Sequence, residues 1–385
     1  MWQILQGDVR EQLNNIDAKS IQTCVTSPPY WGLRDYGADG QLGLEPTPEE
    51  YVANMVEVFR GVKRVIRDDG TVWLNLGDSY NGSGGAGGDY AKGGLKEGQP
   101  KYPGRNINTL KPKDLVGIPW LVAFALRADG WYFRSDIIWH KPNPMPESVT
   151  DRPTKSHEYI FLLSKSQKYF YDAEAVKEPV KELWGTRNRE NGKYHNEGTG
   201  LQPHGGLEKE YANRNKRSVW TVSTQPYLGA HFATFPPKLI EPCILAGTSP
   251  KACECCGSPW VRVVERNILE PLKDRPYQNE GQLRSNQTKA GHGTHGSSLG
   301  GQQHKIQQTT TGWQPTCTCK NEGTGRCKVL DPFAGSGTTL WVAEQNGRDS
   351  VGIELNAEYI ELINKRMDNM QVNIFMGEGS GCFHQ

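Results

Sequence analysis

The fold of this chain is decided by a glycine-rich turn between a short apolar strand and a helix: Asp331-Pro332-Phe333-Ala334-Gly335-Ser336-Gly337-Thr338-Thr339. Gly335 and Gly337 let the backbone approach a ligand closely, and the helix start offers free N–H groups. Glu354 ends the next predicted strand, where an acid can accept hydrogen bonds from ribose hydroxyls. Leu340 replaces the third glycine of the dinucleotide fingerprint, and no Gly-Lys-Ser/Thr of a phosphate loop follows. We therefore expect a nucleoside ligand without a pyrophosphate.

Strand-like and helical segments alternate on both sides of this turn. The pattern predicts strands at residues 2–6, 21–26, 71–76, 132–139, 158–164, 219–222, 328–331 and 350–354. It predicts helices that begin at Thr47-Pro48-Glu49-Glu50 and at Thr338, and further helices over about 114–128, 237–246 and 356–370. Such alternation is typical of an α/β protein with a mostly parallel sheet.

A second informative stretch follows the predicted strand at 21–26: Thr26-Ser27-Pro28-Pro29-Tyr30-Trp31. Each proline fixes its own φ and restricts the residue before it, and Pro28 and Pro29 have no N–H. Residues 27–30 of this segment, called the ledge below, therefore present acceptors without competing donors beside an aromatic ring. Such a set is suited to bind an exocyclic amino group on a flat ring.

Length and composition exclude several classes of protein. The 385 residues suit one large domain with insertions or two domains. The net charge of +1 requires that any nucleic-acid surface be a local patch. No stretch approaches about 20 consecutive apolar residues, so no membrane span is expected, and the N-terminus lacks the pattern of a signal peptide. The expected location is cytoplasmic and reducing, where the nine cysteines are thiols or metal ligands rather than disulfides.

At its two motifs the chain resembles the S-adenosylmethionine-dependent DNA methyltransferases that act on amino groups. Residues 26–30 resemble their catalytic motif, and residues 331–339 resemble their cofactor motif. The catalytic motif comes first, which is the permuted order of the β-type enzymes. The resemblance implies a Rossmann-like class I methyltransferase fold with circularly permuted motif order, double-stranded DNA as the partner, and a prokaryotic or phage-encoded restriction-modification enzyme.

The resemblance also implies roles for individual residues. Ser27 and the carbonyl of Pro28 accept hydrogen bonds from the target amino group, Pro29 completes the ledge, and Tyr30 stacks on a base flipped out of the duplex. The residues implied in binding S-adenosylmethionine are Asp8, Asp331, Phe333, Gly335, Gly337, Thr338, Glu354 and Asn356. A further cofactor-side motif is implied at residues 231–236.

The residue at the start of the ledge bears on the target base. Family members with Ser there often methylate cytosine N4, and members with Asp usually methylate adenine N6. Ser27 thus favours N4-methylcytosine as the product, with N6-methyladenine as the alternative. Methylation at cytosine C5 would require a nucleophilic cysteine, and the only Pro-Cys pair, Pro242-Cys243, lies in an apolar helical segment where a buried structural thiol is expected. An RNA or protein methyltransferase and an inactive zinc-stabilised DNA-binding protein are further alternatives.

Two close cysteine pairs stand about 60 residues apart: Cys253-x-x-Cys256 and Cys317-x-Cys319. Each pair can supply two thiolates to one tetrahedral zinc ion. Such an ion would join the ends of a long polar insertion. Cys255 and Cys327 are spare candidates, and unliganded reduced thiols are the alternative.

The resulting organisation has four parts. Residues 1–180 form the catalytic half, with a Gly-rich loop at 81–105, and residues 218–250 and 327–385 form the cofactor-binding half. Residues 181–217 are the expected target-recognition insertion, and residues 251–326 are the cysteine-containing insertion. The basic residues that suit phosphate contact, or that belong to an ordinary charged loop, are Arg187, Arg189, Arg214, Lys216 and Arg217. The sequence leaves open a partner nuclease and a homodimer.

Overall fold

The computed structural model describes residues 1–32, 40–82, 109–179, 213–225, 235–271, 304–319 and 324–377. Most of the Gly-rich loop 81–105 and of the insertion 181–217 lies outside these residues, and so do Arg187, Arg189 and residues 231–234. The chain divides into two compact units. The first comprises Met1–Val176, Asn215–Val261 and Pro315–Gln385, and the second comprises Lys177–Arg214 and Arg262–Gln314.

The described strands are β1 (Trp2–Gln6), β2 (Ile21–Thr26), β3 (Ile66–Leu76), β4 (Tyr132–His140), β5 (His157–Ser164), β6 (Glu178–Pro179), β7 (Asn213–Arg214), β8 (Val219–Thr221), β9 (Ala252–Cys253), β10 (Val261–Pro271), β11 (His304–Gln314), β12 (Thr324–Gly325), β13 (Lys328–Asp331) and β14 (Asp349–Glu354). The described α-helices are α1 (Val9–Gln12), α2 (Pro48–Val65), α3 (Ile118–Ala128), α4 (Pro237–Gly247), α5 (Thr338–Gln345) and α6 (Ala357–Gly377). Two short 3₁₀ turns cover Leu13–Asn15 and Glu174–Val176.

The first unit is built on an eight-stranded sheet of order β1-β14-β13-β2-β3-β5-β4-β8. The pairs β1–β14, β14–β13, β13–β2, β2–β3 and β4–β8 are parallel. Strand β5 is antiparallel to both β3 and β4, so it is the one strand of this sheet that runs in the opposite direction. The predicted α/β fold with a mostly parallel sheet is confirmed.

Local chemistry explains where the helices begin. Helix α2 begins as predicted, because the Thr47 hydroxyl accepts a hydrogen bond from the Glu50 N–H at 3.2 Å and Pro48 occupies the first turn. Helix α3 begins four residues later than predicted, since Gly117 adopts a left-handed φ of 83° directly before it. Strand β3 begins five residues earlier than predicted, at Ile66, and continues through the polar residues before Thr71.

Apolar clusters cover both faces of the sheet. One joins α2 and α3 to the strands and contains the fully buried side chains of Tyr51 and Phe59. The other joins α4 and α5 to the strands and contains Cys243, which is completely buried as predicted. Burial raises the pKa of the Cys243 thiol far above its usual value. A buried neutral thiol has no nucleophilic function.

The cysteine-containing insertion holds two strands that the sequence pattern did not predict. Strands β10 and β11 pair with each other, and the Arg262 guanidinium of β10 lies 4.5 Å from the ring of Trp313 in β11. In the first unit, the two-residue strands β9 and β12 pair antiparallel. Among the residues that the structure describes, no helix has the length and apolar character needed to cross a membrane.

Candidate active site

The two predicted motifs meet at one edge of the eight-stranded sheet. The parallel strands β2, β13 and β14 end there with Thr26, Asp331 and Glu354. Between β2 and β13 the order of strands along the sheet reverses, since β3 follows β2 on one side and β14 follows β13 on the other. Ligands of open α/β sheets bind at such a switch point, beyond the carboxyl ends of the strands.

A cavity of about 550 Å³ opens at this edge. All four predicted catalytic residues line it: Ser27, Pro28, Pro29 and Tyr30. Six of the eight predicted cofactor residues also line it: Asp8, Phe333, Gly335, Thr338, Glu354 and Asn356. The ledge and the glycine turn, about 300 residues apart in the chain, therefore share one cavity.

The glycine turn has the backbone geometry that its sequence predicts. Gly335 has a left-handed φ of 53°, and the nearest atom to a Cβ at this position would be the Phe333 carbonyl oxygen at 4.0 Å, so a ligand can approach its backbone. Gly337 has a φ of 74° and directly precedes α5, and a Cβ at this position would lie 3.0 Å from the side chain of Ile363. Gly335 thus keeps the cavity accessible, whereas Gly337 allows α6 to pack against the turn.

Glu354 is held in place by backbone groups. One carboxylate oxygen accepts a hydrogen bond from the Gly335 N–H at 2.8 Å, and the other accepts one from the Asn356 N–H at 2.9 Å. Burial raises the pKa of Glu354 to about 7, and the nearby charge of Asp331 acts in the same direction. Each oxygen keeps a further lone pair for a hydroxyl donor.

Asp331 is buried behind the turn and is not among the described lining residues of the cavity. Its carboxylate accepts hydrogen bonds from the hydroxyl of Thr26 at 2.7 Å, from the hydroxyl of Thr339 at 2.6 Å and from the N–H of Phe333 at 3.1 Å. Burial raises its pKa to about 6 despite these three donors. In this structure Asp331 braces the two motifs, while a direct contact with cofactor stays a prediction.

Asp8 lies beside Glu354 because β1 pairs with β14. The N–H of Gly7 donates to the carbonyl of Glu354 at 3.0 Å, and Asp8 follows at the start of α1. The Asp8 carboxylate binds Arg10 through both the guanidinium and the backbone N–H. The guanidinium of Arg10 lowers the pKa of Asp8, so this acid is ionised at neutral pH.

Two tyrosine hydroxyls make hydrogen bonds with residues of the ledge. The Tyr51 hydroxyl donates to the carbonyl of Pro29 at 2.9 Å, which uses one of the two lone pairs of that carbonyl oxygen. The Tyr30 ring packs against Gly77, where a Cβ would lie 2.5 Å from the ring. The Tyr30 hydroxyl lies 3.3 Å from the hydroxyl of Ser27. The proposed stacking of Tyr30 on a base stays a prediction.

Four residues outside the predicted catalytic and cofactor-binding sets complete the ledge side of the cavity: Asn75, Trp139, Lys141 and Glu158. Glu158 accepts a hydrogen bond from the Tyr30 hydroxyl at 2.8 Å and one from the Asn75 side-chain amide at 3.3 Å. Lys141 forms an ion pair with the other Glu158 oxygen, and its ammonium lies 4.4 Å from the Trp139 ring. The sequence signal that could have identified Glu158 is a glutamate at the start of an otherwise apolar strand.

The four predicted metal-ligating cysteines come together outside this cavity. The Sγ atoms of Cys253, Cys256, Cys317 and Cys319 all lie within 4.8 Å of one another, and none of the four forms a disulfide. The spare candidates do not join the cluster: Cys255 is exposed and Cys327 is buried elsewhere, where burial raises its pKa to about 12.

The cysteine cluster is anchored to the main sheet by Arg67 at the start of β3. Its guanidinium donates to the carbonyl of Cys256 at 2.7 Å and to the hydroxyl of Ser258 at 3.0 Å. The turn itself is closed by the Gly257 N–H, which donates to the Cys253 carbonyl at 2.8 Å. Gly257 adopts a left-handed φ of 67°, as a tight knuckle requires.

Three of the basic residues predicted to contact phosphate lie in the part of the chain that the structure describes, and they make contacts within the protein: Arg214, Lys216 and Arg217. Arg214 in β7 lies 3.6 Å from the carboxylate of Glu178 in β6. In the first unit, the ammonium of Lys216 lies 4.8 Å from the Trp220 ring, and the Trp220 indole N–H donates to the carbonyl of Arg217 at 2.6 Å. Phosphate contact by these residues stays a prediction.

Comparison with known proteins identifies the family to which this chain belongs. Residues 21–253 and 324–365 match the family model N6_N4_Mtase, described as DNA methylase. The chain is 38% identical to the type II methyltransferase M.SmaI of Serratia marcescens, over 94% of this chain and 90% of the relative. It is also 38% identical to the type II methyltransferase M.XycI of Xanthomonas campestris pv. cyanopsidis, over 96% and 89%.

A solved structure gives the same fold. The cytosine-N4-specific PvuII DNA methyltransferase aligns with a TM-score of 0.51 at 16% identity, over 95% of this chain and 86% of that chain. The sheet and its edge cavity thus define a class I methyltransferase fold. By its family match and its relatives, the chain belongs to the DNA methylase family and is a DNA methyltransferase.

Proposed function

We propose that this protein transfers a methyl group from S-adenosylmethionine to the exocyclic amino group of a flipped base within a specific DNA sequence, and that the base is cytosine, methylated at N4. One observation carries the proposal: the ledge and the glycine turn line a single cavity. A methyl donor at the turn and an amino group at the ledge would therefore meet without any rearrangement of the main sheet.

The proposed cofactor site uses the turn and the acids beside it. The ribose hydroxyls would donate to Glu354, whose carboxylate is oriented by Gly335 and Asn356. Asp8 and Phe333 line the same cavity and would contact the adenine moiety. S-adenosylmethionine supplies a methyl group on a sulfonium, which needs no covalent intermediate with the protein.

The proposed role of the ledge follows from the electronic structure of an aromatic amine. The lone pair of such a nitrogen is delocalised into its ring. The hydroxyl oxygen of Ser27 and the carbonyl oxygen of Pro28 would hold the two amino protons away from the ring plane and favour an sp³ nitrogen. Its lone pair would then point towards the methyl group, and alignment of this kind supplies most of the rate enhancement of a one-step transfer.

The choice of cytosine rests on Ser27. A serine at the first position of the ledge is the form often associated with N4 methylation, and adenine N6 is the alternative because both amino groups adjoin a ring nitrogen. The order of motifs in the chain supports a circularly permuted enzyme of the β type. The type II relatives support a role in restriction-modification, with a partner nuclease as a corollary of that role.

We also propose that the four-cysteine cluster binds a structural zinc ion. Zn–S bonds of about 2.3 Å place the sulfurs of a tetrahedral site about 3.8 Å apart, close to the separations of at most 4.8 Å found here. Four thiols at such distances suit a soft divalent cation, and a site with four protein ligands leaves no open position for catalysis. The ion would join the segment Cys253–Cys256 to the segment Cys317–Cys319. The hydrogen bond from Arg67 to the Cys256 carbonyl would then connect the metal site to β3.

The methyl-transfer proposal is tested by incubating duplex DNA with the protein and methyl-labelled S-adenosylmethionine, followed by hydrolysis to nucleosides. Label in N4-methylcytosine is expected. Label in N6-methyladenine would overturn the choice of base but retain the reaction. Label in neither nucleoside would overturn the proposed function.

A further inference from the structure

We propose that Glu158 acts on the reacting amino group through Tyr30 and Ser27, as the terminal acceptor of a short proton relay. The inference rests on the proposed function, because it assigns the proton that methyl transfer must release. A neutral serine is a weak proton acceptor, so a ledge that begins with Ser27 requires a stronger base elsewhere. The structure places a carboxylate two hydrogen bonds away.

The direction of these hydrogen bonds is fixed by the groups themselves. The single proton of the Tyr30 hydroxyl has two acceptors within reach, the Glu158 carboxylate at 2.8 Å and the Asn75 side-chain oxygen at 3.2 Å. The contact with the charged carboxylate is the shorter, and hydrogen bonds to ionised acceptors are the stronger ones, so we assign the proton to Glu158. The oxygen of Tyr30 is then available to accept the Ser27 proton over 3.3 Å. Ser27 therefore turns its lone pairs towards the cavity, in the orientation needed to accept from an amino group.

Tyr30 is suited to conduct a proton without ionising permanently. Burial, reinforced by the charge of Glu158, raises the pKa of its hydroxyl well above the usual value. The ring packs directly against the backbone of Gly77, where a Cβ would lie 2.5 Å from it, and the flanking Pro29 has a fixed φ.

Glu158 is oriented by two neighbours, one in β3 and one directly after β4. The side-chain amide of Asn75 in β3 donates to Glu158 at 3.3 Å and to the carbonyl of Tyr159 at 3.0 Å, which fixes the direction of the amide. Lys141, which follows β4, forms an ion pair with the second carboxylate oxygen. Both Glu158 and Lys141 line the cavity, so the carboxylate can exchange its proton with solvent after product release.

The atoms and electrons of the step balance. The nitrogen lone pair forms the new N–C bond, and the S–C bond electrons stay on sulfur, which becomes a neutral thioether. The N–H bond electrons return to nitrogen as its proton passes to the Ser27 oxygen. The proton of Ser27 passes to Tyr30, and the proton of Tyr30 passes to Glu158. An aminium and a carboxylate thereby become a neutral amine and a carboxylic acid.

The test compares Glu158→Gln, Tyr30→Phe and the double variant in single-turnover methyl transfer with saturating cofactor. We expect each single variant to be slower by about 10²-fold, the usual contribution of a general base, and the double variant to be no slower than the slower single one. Groups that act as a unit show such non-additivity. Cofactor affinity and thermal unfolding are expected to stay near the wild-type values.

Tyr159→Phe is the matched control, since its hydroxyl contacts His157 at 3.4 Å and lies outside the relay. It is expected to react at the wild-type rate. Wild-type rates in both single variants, or losses that multiply in the double variant, would overturn the relay. If the wild-type protein methylates DNA and Ser27→Ala does so much more slowly, these outcomes remove the relay alone. If the wild-type protein transfers no methyl group, the proposed function itself fails.

Discussion

The hydroxyl of Thr26 donates a 2.7 Å hydrogen bond to the carboxylate of Asp331, although the two residues are 305 positions apart in the chain. Thr26 directly precedes Ser27 of the ledge, and Asp331 begins the glycine turn. The other carboxylate oxygen accepts from Thr339 at 2.6 Å. One buried carboxylate thus fixes the distance between the amino-group side and the cofactor side of the cavity.

Removing the Thr26 donor should destabilise the fold at neutral pH. Thr26→Val preserves shape but leaves a buried carboxylate with one donor fewer, which costs about 1.5–3 kcal/mol of unfolding free energy. The Thr26 bond favours the ionised form of Asp331, whose pKa is about 6, so the loss should be larger at pH 8 than at pH 5. Chemical denaturation at the two pH values measures both effects. Thr221→Val, at an exposed strand position, is the control and should change stability by less than about 0.5 kcal/mol.

Ser27→Ala should separate chemistry from cofactor binding. The substitution removes one acceptor for the amino group and leaves the glycine turn intact, so methyl transfer should fall on the order of 10²-fold while the Kd for S-adenosylmethionine changes little. Single-turnover kinetics and calorimetric titration measure the two quantities. An equal loss of rate and of cofactor affinity would contradict the role assigned to Ser27.

Glu354 should make cofactor affinity depend on pH. Burial raises its pKa to about 7 in the free protein, and ribose hydroxyls that donate to the carboxylate would lower it in the complex. The affinity for S-adenosylmethionine is then highest above pH 7, and it falls by up to about tenfold per pH unit below pH 7. Calorimetric titrations at pH 5.5, 6.5 and 8 check this slope. Glu354→Gln should bind more weakly at pH 8 and lose the pH dependence. A wild-type affinity that is the same at all three pH values would argue against ribose binding by Glu354.

Cys253→Ser should lower both metal content and stability. The purified wild-type protein is expected to hold one zinc ion per chain, and the variant lacks one of four ligands. Elemental analysis and thermal unfolding measure the two effects. Cys255→Ser is the matched control, because this exposed neighbour lies outside the four-thiol cluster. Equal zinc content in the two variants would remove Cys253 from the site.

The sheet could be predicted from the sequence because periodicity and turn residues are local signals. Thr47-Pro48 predicted the start of α2, and Gly335 and Gly337 predicted the strand-to-helix turn at the cofactor edge. Strands β10 and β11 were missed, since β11 is mostly polar, the apolar residues of β10 do not alternate regularly with polar ones, and their pairing is not visible in either sequence alone. The late start of α3 depends on the conformation of Gly117, which a helical pattern does not contain.

The motif residues of the site were predicted, but the residues that support them were not. Glu158 reaches the cavity only because β5 runs against its neighbours, which brings the beginning of that strand to the edge where the parallel strands end. Strand direction is a property of the tertiary fold. Likewise, an acid at the end of β13 predicts a residue close to a ligand. In the structure Asp331 points inward, because its carboxylate accepts hydrogen bonds from the hydroxyls of Thr26 and Thr339.

The most direct test of the central claim is long-read sequencing of DNA from cells that express the protein or its Ser27→Ala variant, because it reports the modified base together with its context. The account predicts N4-methylcytosine at one recurring DNA sequence with the wild-type protein and a much lower level of it with the variant. Wild-type protein that is folded and abundant but leaves no modified amino group in any sequence context would contradict the account.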